Sequence, residues 1–144
     1  MAGIERNLIE AVRAVLIGDA TLIALVPAAQ IVPKSSPYPA VYPAITLSPT
    51  GSRDGGYVGT WRGLFWIRIY HQGASAYGSL DAMLGRVRAL LDSDTSFASI
   101  SDSDITVHRF NEVTYSEIID EDESPIDETY SLNGYYRVIA TDET

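Results

Sequence analysis

Residues 60–71 read TWRGLFWIRIYH and contain the clearest strand pattern in the chain. Large apolar side chains alternate along it, which predicts a β-strand with two different faces. One face carries Trp61, Phe65, Ile67 and Ile69. The other face carries Arg62, Leu64, Trp66, Arg68 and Tyr70. Apolar groups on both faces indicate that the second face is also covered, either by a helix of the same chain or by another subunit.

A helix is predicted directly after this strand, over residues 75–92. Ser75 is placed to cap it, and its apolar positions recur with the spacing of one helix face: Leu80, Met83, Leu84, Val87, Leu90 and Leu91. Gly78 and Gly85 weaken such a helix by about 1 kcal/mol each relative to alanine. We therefore expect these two glycines where the helix packs closely against the sheet.

The chain before the strand is predicted to begin with two helices. Residues 4–17 follow a helical period, Gly18 ends the pattern, and Asp19 is placed to cap a short second helix that ends at Pro27. Residues 27–50 contain six of the seven prolines, so only short extended pieces fit there, at Gln30–Val32 and Ala44–Ser48. The glycine-rich residues 49–60 are predicted to form a long loop.

The remainder of the chain is predicted to be mainly strand. Ile105–Phe110 forms one strand, which Val113–Ile119 either continues or pairs with, and Thr129–Thr141 forms the last one. Residues 117–128 between them read as an acidic loop. The order α-α-β-β-β-α-β-β predicts a single α+β domain, residues 1–144, with helices packed on a mainly antiparallel sheet.

Charge is distributed very unevenly along the chain. Ten basic and 19 acidic residues give a net charge of −9, with +3 over residues 1–91 and −12 over residues 92–144. A net charge of −9 argues against a protein that binds nucleic acid by neutralising phosphates. The acidic part is either a solvated face, or a surface that repels or mimics nucleic acid or docks on a basic partner.

The sequence contains no convincing catalytic or metal-binding motif. Cysteine is absent, so disulfides and thiolate zinc sites are excluded. His71 and His108 lack the spacing of a metal motif, and the acidic run at 120–123 lacks the ligand order of a calcium-binding loop. Paired carboxylates of the glycosidase type remain open, but nothing marks a cleft for them. We therefore predict a non-enzymatic protein without cofactor or metal, and no apolar run is long enough to suggest a membrane span.

Four segments taken together resemble a known family. They are DATLIALVPAAQIVP (19–33), YPAVYPAITLSP (38–49), WRGLFWIRIYHQGASAYGSLDAMLGRVRALLD (61–92) and NGYYRVIA (133–140). In this combination the chain resembles the tail-terminator, or tail-completion, proteins of long-tailed bacteriophages. The acidic residues 117–128 depart from the pattern of that family.

The resemblance implies a structural virion protein of the tail and neck, assembled in the host cytoplasm. Such a protein forms a ring, usually of six subunits, that caps the tail-tube protein, ends polymerisation and meets the head-side connector or stopper protein. DNA passes through the channel without specific binding, and the family has no catalytic residues to carry over.

Three groups of residues are candidates for these roles. We expect a subunit interface at Trp61, Arg62, Leu64, Trp66, Arg68 and Tyr70. We expect an inter-ring contact in the loop 51–59, at Arg53, Asp54 and Tyr57. We expect an acidic channel lining at Glu117, Asp120, Glu121, Asp122 and Glu123, or in the loop 92–104.

Two other functions are consistent with parts of the sequence. A small acidic inhibitor, either a DNA mimic or an immunity-type protein, would explain the net charge but not the apolar strand 61–70. A head-side adaptor or stopper of the same neck differs from a tail terminator only in the partner that it touches.

Overall fold

The core of the protein is one twisted sheet with helices against one of its faces. A computed structural model of the chain describes residues 3–34, 39, 41–53, 60–73, 76–91, 100, 105–115, 118–121 and 129–142. The strands are β1 (Ile31–Pro33), β2 (Ala44–Arg53), β3 (Thr60–Gln72), β4 (Ile105–Tyr115), β5 (Ile119–Asp120) and β6 (Thr129–Asp142). The predicted α+β class with a mainly antiparallel sheet is confirmed.

Strand β3 is the centre of this sheet. The strand order is β1-β2-β3-β6-β4, and β5 pairs with β6 beyond the end of β4. Only β1 and β2 are parallel. β3 pairs with β6 along its whole length and with β2 from Trp61 to Tyr70. β3 has a neighbouring strand on each side and large side chains on both faces. Its sequence is therefore apolar along most of its length.

The three α-helices lie close to the positions that the sequence predicts. Helix α1 (Ile4–Ile17) ends at Gly18, and α2 (Ala20–Leu25) is capped by Asp19, whose carboxylate accepts a hydrogen bond of 2.9 Å from the Leu22 amide. Asp19 also accepts two hydrogen bonds of 2.7 Å from Arg86 of helix α3 (Ala76–Leu91). The hydrogen bonds from Arg86 lower the pKa of Asp19, so this link between α2 and α3 persists until the solution is strongly acidic.

The apolar stripes of α1 and α3 pack against the same sheet face. That face contributes Phe65, Ile67 and Ile69 of β3, and Phe110 of β4 stacks on Tyr136 of β6 at a ring-centroid distance of 5.1 Å. Arg88 of α3 pairs with Glu112 of β4 at 2.8 Å and so fixes the helix over the edge of the sheet. Helix α3 is therefore held by apolar burial in its centre and by ion pairs at two points.

The prediction of a loop over residues 49–60 is wrong for residues 49–53. β2 runs to Arg53, so the connection to β3 begins after that residue. Pro49 is tolerated inside the strand because the pairing with β1 ends at Leu47, and β2 is an edge strand from there on. Gly51 lies directly opposite Gly63 of β3, and the indole of Trp61 lies over both. These two glycines allow an aromatic ring to rest on the backbone rather than making a loop flexible.

The segment 117–128, which is predicted to be a loop, contains a short strand among its described residues 118–121. Ile119–Asp120 forms β5, which pairs with Ser131 and Tyr130 of β6. Val113–Tyr115 continues the preceding strand as part of β4, and Ile119 pairs with β6 rather than with β4. β4 is irregular at two places, between Val107 and Arg109 and between Glu112 and Thr114.

The expectation for Gly78 and Gly85 is wrong. A Cβ atom at either position would meet no other atom within 4 Å, so neither glycine permits close packing of α3 on the sheet. Both lie on the exposed side of the helix. In the part of the chain that the structure describes, no helix is both long and apolar enough to span a bilayer.

Alanine at Gly78 or Gly85 is expected to stabilise the protein. Each substitution removes the entropic cost of glycine in a helix without introducing a clash, which is worth about 0.5–1 kcal/mol. Two-state urea unfolding of the two single variants and the double variant measures this effect. A decrease in the unfolding free energy of either single variant would mean that the exposed side of α3 is packed in a way that the structure does not show.

Candidate assembly surface

The sheet has a second face that the described helices do not cover. Along β3 the odd-numbered residues from Phe65 to Ile69 are buried against α1 and α3, whereas Arg62 is exposed and Leu64, Trp66 and Arg68 are half-buried. Register places residues from three neighbouring strands beside them. We call this surface the open face; it comprises Thr46, Ser48 and Thr50 of β2, Arg62, Leu64, Trp66, Arg68 and Tyr70 of β3, Arg109 and Asn111 of β4, and Ser131, Asn133, Tyr135, Arg137 and Ile139 of β6.

The centre of the open face is aromatic. Trp66 and Tyr135 are direct cross-strand neighbours, and their rings meet edge to face at a centroid distance of 5.1 Å. The indole N–H of Trp66 is buried and has no hydrogen-bond acceptor among the residues described. A tryptophan N–H normally finds an acceptor once it is buried, so this donor is suited to a group brought by a partner.

One end of the open face is closed within the subunit. Tyr70 is only 1% exposed, because the ring of Tyr42 packs edge to face on it at 6.3 Å. Arg68 donates hydrogen bonds to Asn133 at 2.7 Å and to the Tyr70 hydroxyl at 3.3 Å. Burial raises the pKa of Tyr70, so its hydroxyl stays protonated at neutral pH. The side chains of Arg68, Tyr70 and Asn133 are hydrogen-bonded within the subunit, so this end offers little surface for contact with a partner.

The other end of the open face is basic. Arg62 of β3 and Arg109 of β4 are the register partners of Ile139 on its two sides, and Arg137 follows two residues away on β6. All three arginines are exposed, while Ile139 is half-buried between them. We call these four residues the basic end. They combine a small apolar centre with three guanidinium groups, which suits a carboxylate-rich partner.

The predicted subunit interface therefore needs correction at two positions. Trp61 is 1% exposed and belongs to the core face, where its indole N–H lies 3.4 Å from a carboxylate oxygen of Glu5. Tyr70 lies on the open face but is buried under Tyr42. The other four predicted residues do share the open face: Arg62, Leu64, Trp66 and Arg68.

Sequence reasoning missed the contribution of the neighbouring strands. Tyr135, Arg137 and Ile139 of β6 lie beside the predicted residues, and so does Arg109 of β4. The alternation in NGYYRVIA would have placed the first three on one face. It does not say which strand lies next to them, and that pairing decides which surface they join.

The other two groups of candidate residues are placed only in part. Arg53 is the last residue of β2, and Asp54 and Tyr57 lie outside the described residues. Asp120 belongs to β5 and Glu121 follows it, accepting a short hydrogen bond from Ser131. Glu117, Asp122, Glu123 and the loop 92–104 are outside the described part. Both the inter-ring contact and the channel lining stay predictions.

The two histidines do not share a site. His71 pairs in register with Tyr130 at one end of β3, whereas the ring of His108 contacts Thr141 at 2.6 Å at the opposite end of the sheet. Burial lowers the pKa of His71, which is neutral at pH 7. Among the residues that the structure describes, no three His, Cys, Asp or Glu side chains are grouped as metal ligands would be.

Comparison with known proteins agrees with this picture. The family model "Tail completion protein gp17" matches residues 10–120. A chain of a solved structure, "Virion of native gene transfer agent (GTA) particle", has the same fold, with a TM-score of 0.67 and 17% identity over 93% of this chain and 94% of that one. A second solved chain, also 17% identical and covering 94% of this chain, has a TM-score of only 0.46. No curated protein matches.

The family match covers well over half of the chain and confirms the resemblance that the four sequence segments suggested. It also confirms that the protein is a structural component of the virion tail and not an enzyme. The chain with the open sheet face belongs to the tail completion protein gp17 family.

Proposed function

We propose that this protein forms a closed ring at the neck of the virion. In this role it caps the last layer of tail-tube protein, stops tail polymerisation and meets the head-side connector, while DNA passes through the central channel. The observation that carries the proposal is the open face, a half-buried aromatic and arginine surface without a covering helix among the described residues.

The composition of the open face supports a protein interface. Protein interfaces are enriched in tryptophan, tyrosine and arginine, and the residues that dominate binding lie near their centre. Trp66 and Tyr135 lie at the centre of this face, and three exposed arginines lie at its basic end. An aromatic surface of this kind promotes nonspecific association when it is exposed to solvent. A specific partner that covers it in the assembled virion would prevent this.

Ring formation needs a second, different surface on the same subunit, because ring contacts join unlike faces. The edge formed by β4 and β5 is a candidate. Val113, Tyr115 and Ile119 on this edge are 47%, 49% and 42% exposed. In the proposed ring, this edge of one subunit packs on the open face of the next. The acidic residues Asp120 and Glu121 then lie beside the contact, and the rest of the segment 117–128 is available to line the channel.

The alternative functions have less support. A DNA mimic would account for the net charge of −9, but it gives no role to the open face and does not fit the family. A head-side adaptor would use the same kind of ring with a different neighbour. The loop after Arg53 would serve either protein as the contact to the next ring.

Assembly and deletion experiments test the proposed function. Purified protein is expected to form a ring of about six subunits with a central hole, seen by light scattering after size exclusion and by negative-stain microscopy. Particles made without it are expected to carry overlong tails. Tails of normal length together with tailless, leaking heads would instead indicate a head-side adaptor, and a protein that never self-associates, even on tail tubes, would contradict the ring.

A further inference from the structure

We propose that an apolar patch on helix α2 binds the end of the tail tube. The patch comprises Ala20, Ile23, Ala24, Leu25 and Pro27, which are all exposed. This inference rests on the proposed ring and specifies the surface with which that ring caps the tube. The patch lies outside both the open face and the edge formed by β4 and β5.

The patch is uncharged in a protein whose net charge is −9. The sequence has no acidic or basic residue between Asp19 and Lys34. Ala24 lies one helical turn after Ala20, and Ile23 and Leu25 flank it on its two sides, so the exposed side of α2 is apolar across its width. A neutral apolar surface offers nothing to DNA phosphates or to an acidic partner, and it suits an apolar protein surface.

Contacts beneath the patch hold it in one conformation. Leu22 of α2 and the following Val26 are fully buried, and α2 packs on α1 and α3. The chain after the patch is held by Arg13 of α1, whose guanidinium donates hydrogen bonds to the carbonyl oxygens of Ala28 at 3.1 Å and Ile31 at 2.7 Å. A surface that is already ordered loses little conformational entropy when a partner covers it.

The size of the patch favours a partner that repeats around a ring. A stable interface between two free proteins buries about 800 Å² on each partner. Ile23 and Leu25, each 38% exposed, supply only a small part of that area together with two alanines and a proline. The contact of one subunit is therefore weak, and a pair of subunits joined through it would not be stable. In a ring every subunit makes the same contact at once, so that weak contacts reinforce one another.

The end of a tail tube is a partner of this kind. Each layer of a growing tube exposes a surface that the next layer would bury, and surfaces buried between copies in permanent assemblies are more apolar than other protein surfaces. A cap covers this surface in place of the next layer, so the cap needs an uncharged apolar surface of its own. The head-side connector does not polymerise on this end of the tube, so nothing requires its contact surface to be apolar.

The chain next to the patch lies at one end of β2, away from the connection between β2 and β3. Gln30 donates a hydrogen bond of 2.7 Å from its side-chain amide to the carbonyl of Pro43, directly before β2 begins at Ala44. From there β2 runs to Arg53 over a distance of about 30 Å. A subunit can therefore contact the tube near one end of β2 and a head-side component near the other.

A binding experiment with tail tubes tests the patch. The variant Ile23→Glu with Leu25→Lys replaces both large apolar side chains by opposite charges and leaves the net charge unchanged. We expect it to form rings like the wild-type protein, but its binding to tubes assembled without this protein should weaken about tenfold for each subunit contact and far more for a whole ring. Co-sedimentation with the tubes measures binding. Wild-type binding should persist at about 1 M salt, because salt does not screen an apolar contact.

The matched control adds the same two charges elsewhere. Gly78→Glu with Ala82→Lys places them at exposed positions of α3, and this variant is expected to bind tubes like the wild-type protein. A urea unfolding curve shows whether the charged patch variant folds. If it does not fold, the milder variant Ile23→Ala with Leu25→Ala takes its place and should also bind tubes more weakly.

Three results would overturn the proposal. If rings of the patch variant bind tubes normally, or lose only their attachment to heads, the tube contact is wrong while the ring stands. If the variant folds but forms no rings, the patch is a contact between subunits and not a surface for the tube. If the wild-type protein itself forms no ring, the proposed function fails and this contact fails with it.

Discussion

The Trp66→Ala protein is expected to fold but to lose ring assembly. Trp66 lies at the centre of the open face and contacts only Tyr135 through its ring among the described aromatic side chains. Loss of this edge-to-face pair costs the isolated subunit about 1 kcal/mol. Truncating a central interface tryptophan costs about 2 kcal/mol or more at each contact, which lowers each association constant about thirtyfold. Because every contact in a closed ring carries the same loss, complete rings should disappear.

Light scattering together with a urea unfolding curve separates the two effects. Tyr77→Ala is a suitable control, because Tyr77 is a 52% exposed aromatic residue that pairs with Tyr130 at 5.0 Å, away from the open face. It removes a similar ring contact but should leave assembly intact. Normal rings from the Trp66→Ala protein would exclude the open face as the subunit interface.

Replacing Gly63 by alanine is expected to destabilise the subunit by about 3 kcal/mol or more, at the upper end of the range for overpacking. A Cβ atom there would overlap the Thr50 carbonyl oxygen and would lie 2.7 Å from the Gly51 Cα and 2.8 Å from the Trp61 ring. The first two are backbone atoms of the paired strand and cannot rotate away. Either β2 separates from β3 at this point or Trp61 leaves its buried position, and both lose core packing.

Gly85→Ala provides the matched control, because the same methyl group is added where no atom lies within 4 Å. The midpoint of urea unfolding should fall strongly for Gly63→Ala and rise slightly for Gly85→Ala. Gly51→Ala should behave like Gly63→Ala, because it meets the same backbone from the opposite strand. A Gly63→Ala protein within 1 kcal/mol of wild type would mean that the Trp61 ring does not rest on this glycine pair.

Local patterns in the sequence predicted the elements well. The helical spacing of residues 4–17 and the alternation of residues 60–71 both correspond to observed elements, α1 and β3. The predicted cap at Asp19 is confirmed, because its side chain accepts a hydrogen bond from the Leu22 amide. These features depend on residues that are close together in the sequence. The repeat of apolar side chains along a helix or strand can therefore be read without knowing the rest of the fold.

The surroundings of the glycines in this protein are the opposite of those that the sequence pattern predicts. The sequence pattern predicts a long loop around Gly51 and close helix–sheet packing at Gly78 and Gly85. The structure has the opposite arrangement, with close approach at Gly51 and open space at the two helical positions. A glycine has no side chain to indicate its surroundings, so the atoms that approach it are known only after the strands are paired.

The α+β class, the two faces of β3 and the concentration of acidic residues after residue 91 can all be predicted from the order of the residues. The pairing of β6 with β3 is visible only in the folded protein. This pairing brings Tyr135, Arg137 and Ile139 onto the same surface as Trp66, and the fold buries Trp61 and Tyr70. Strand pairing also places Asp120 beside Tyr130 at one end of β6 and brings Arg62, Arg109 and Arg137 together at the other. The side-chain period is a local property of the chain, whereas strand partners and register depend on how distant segments bury their apolar faces together.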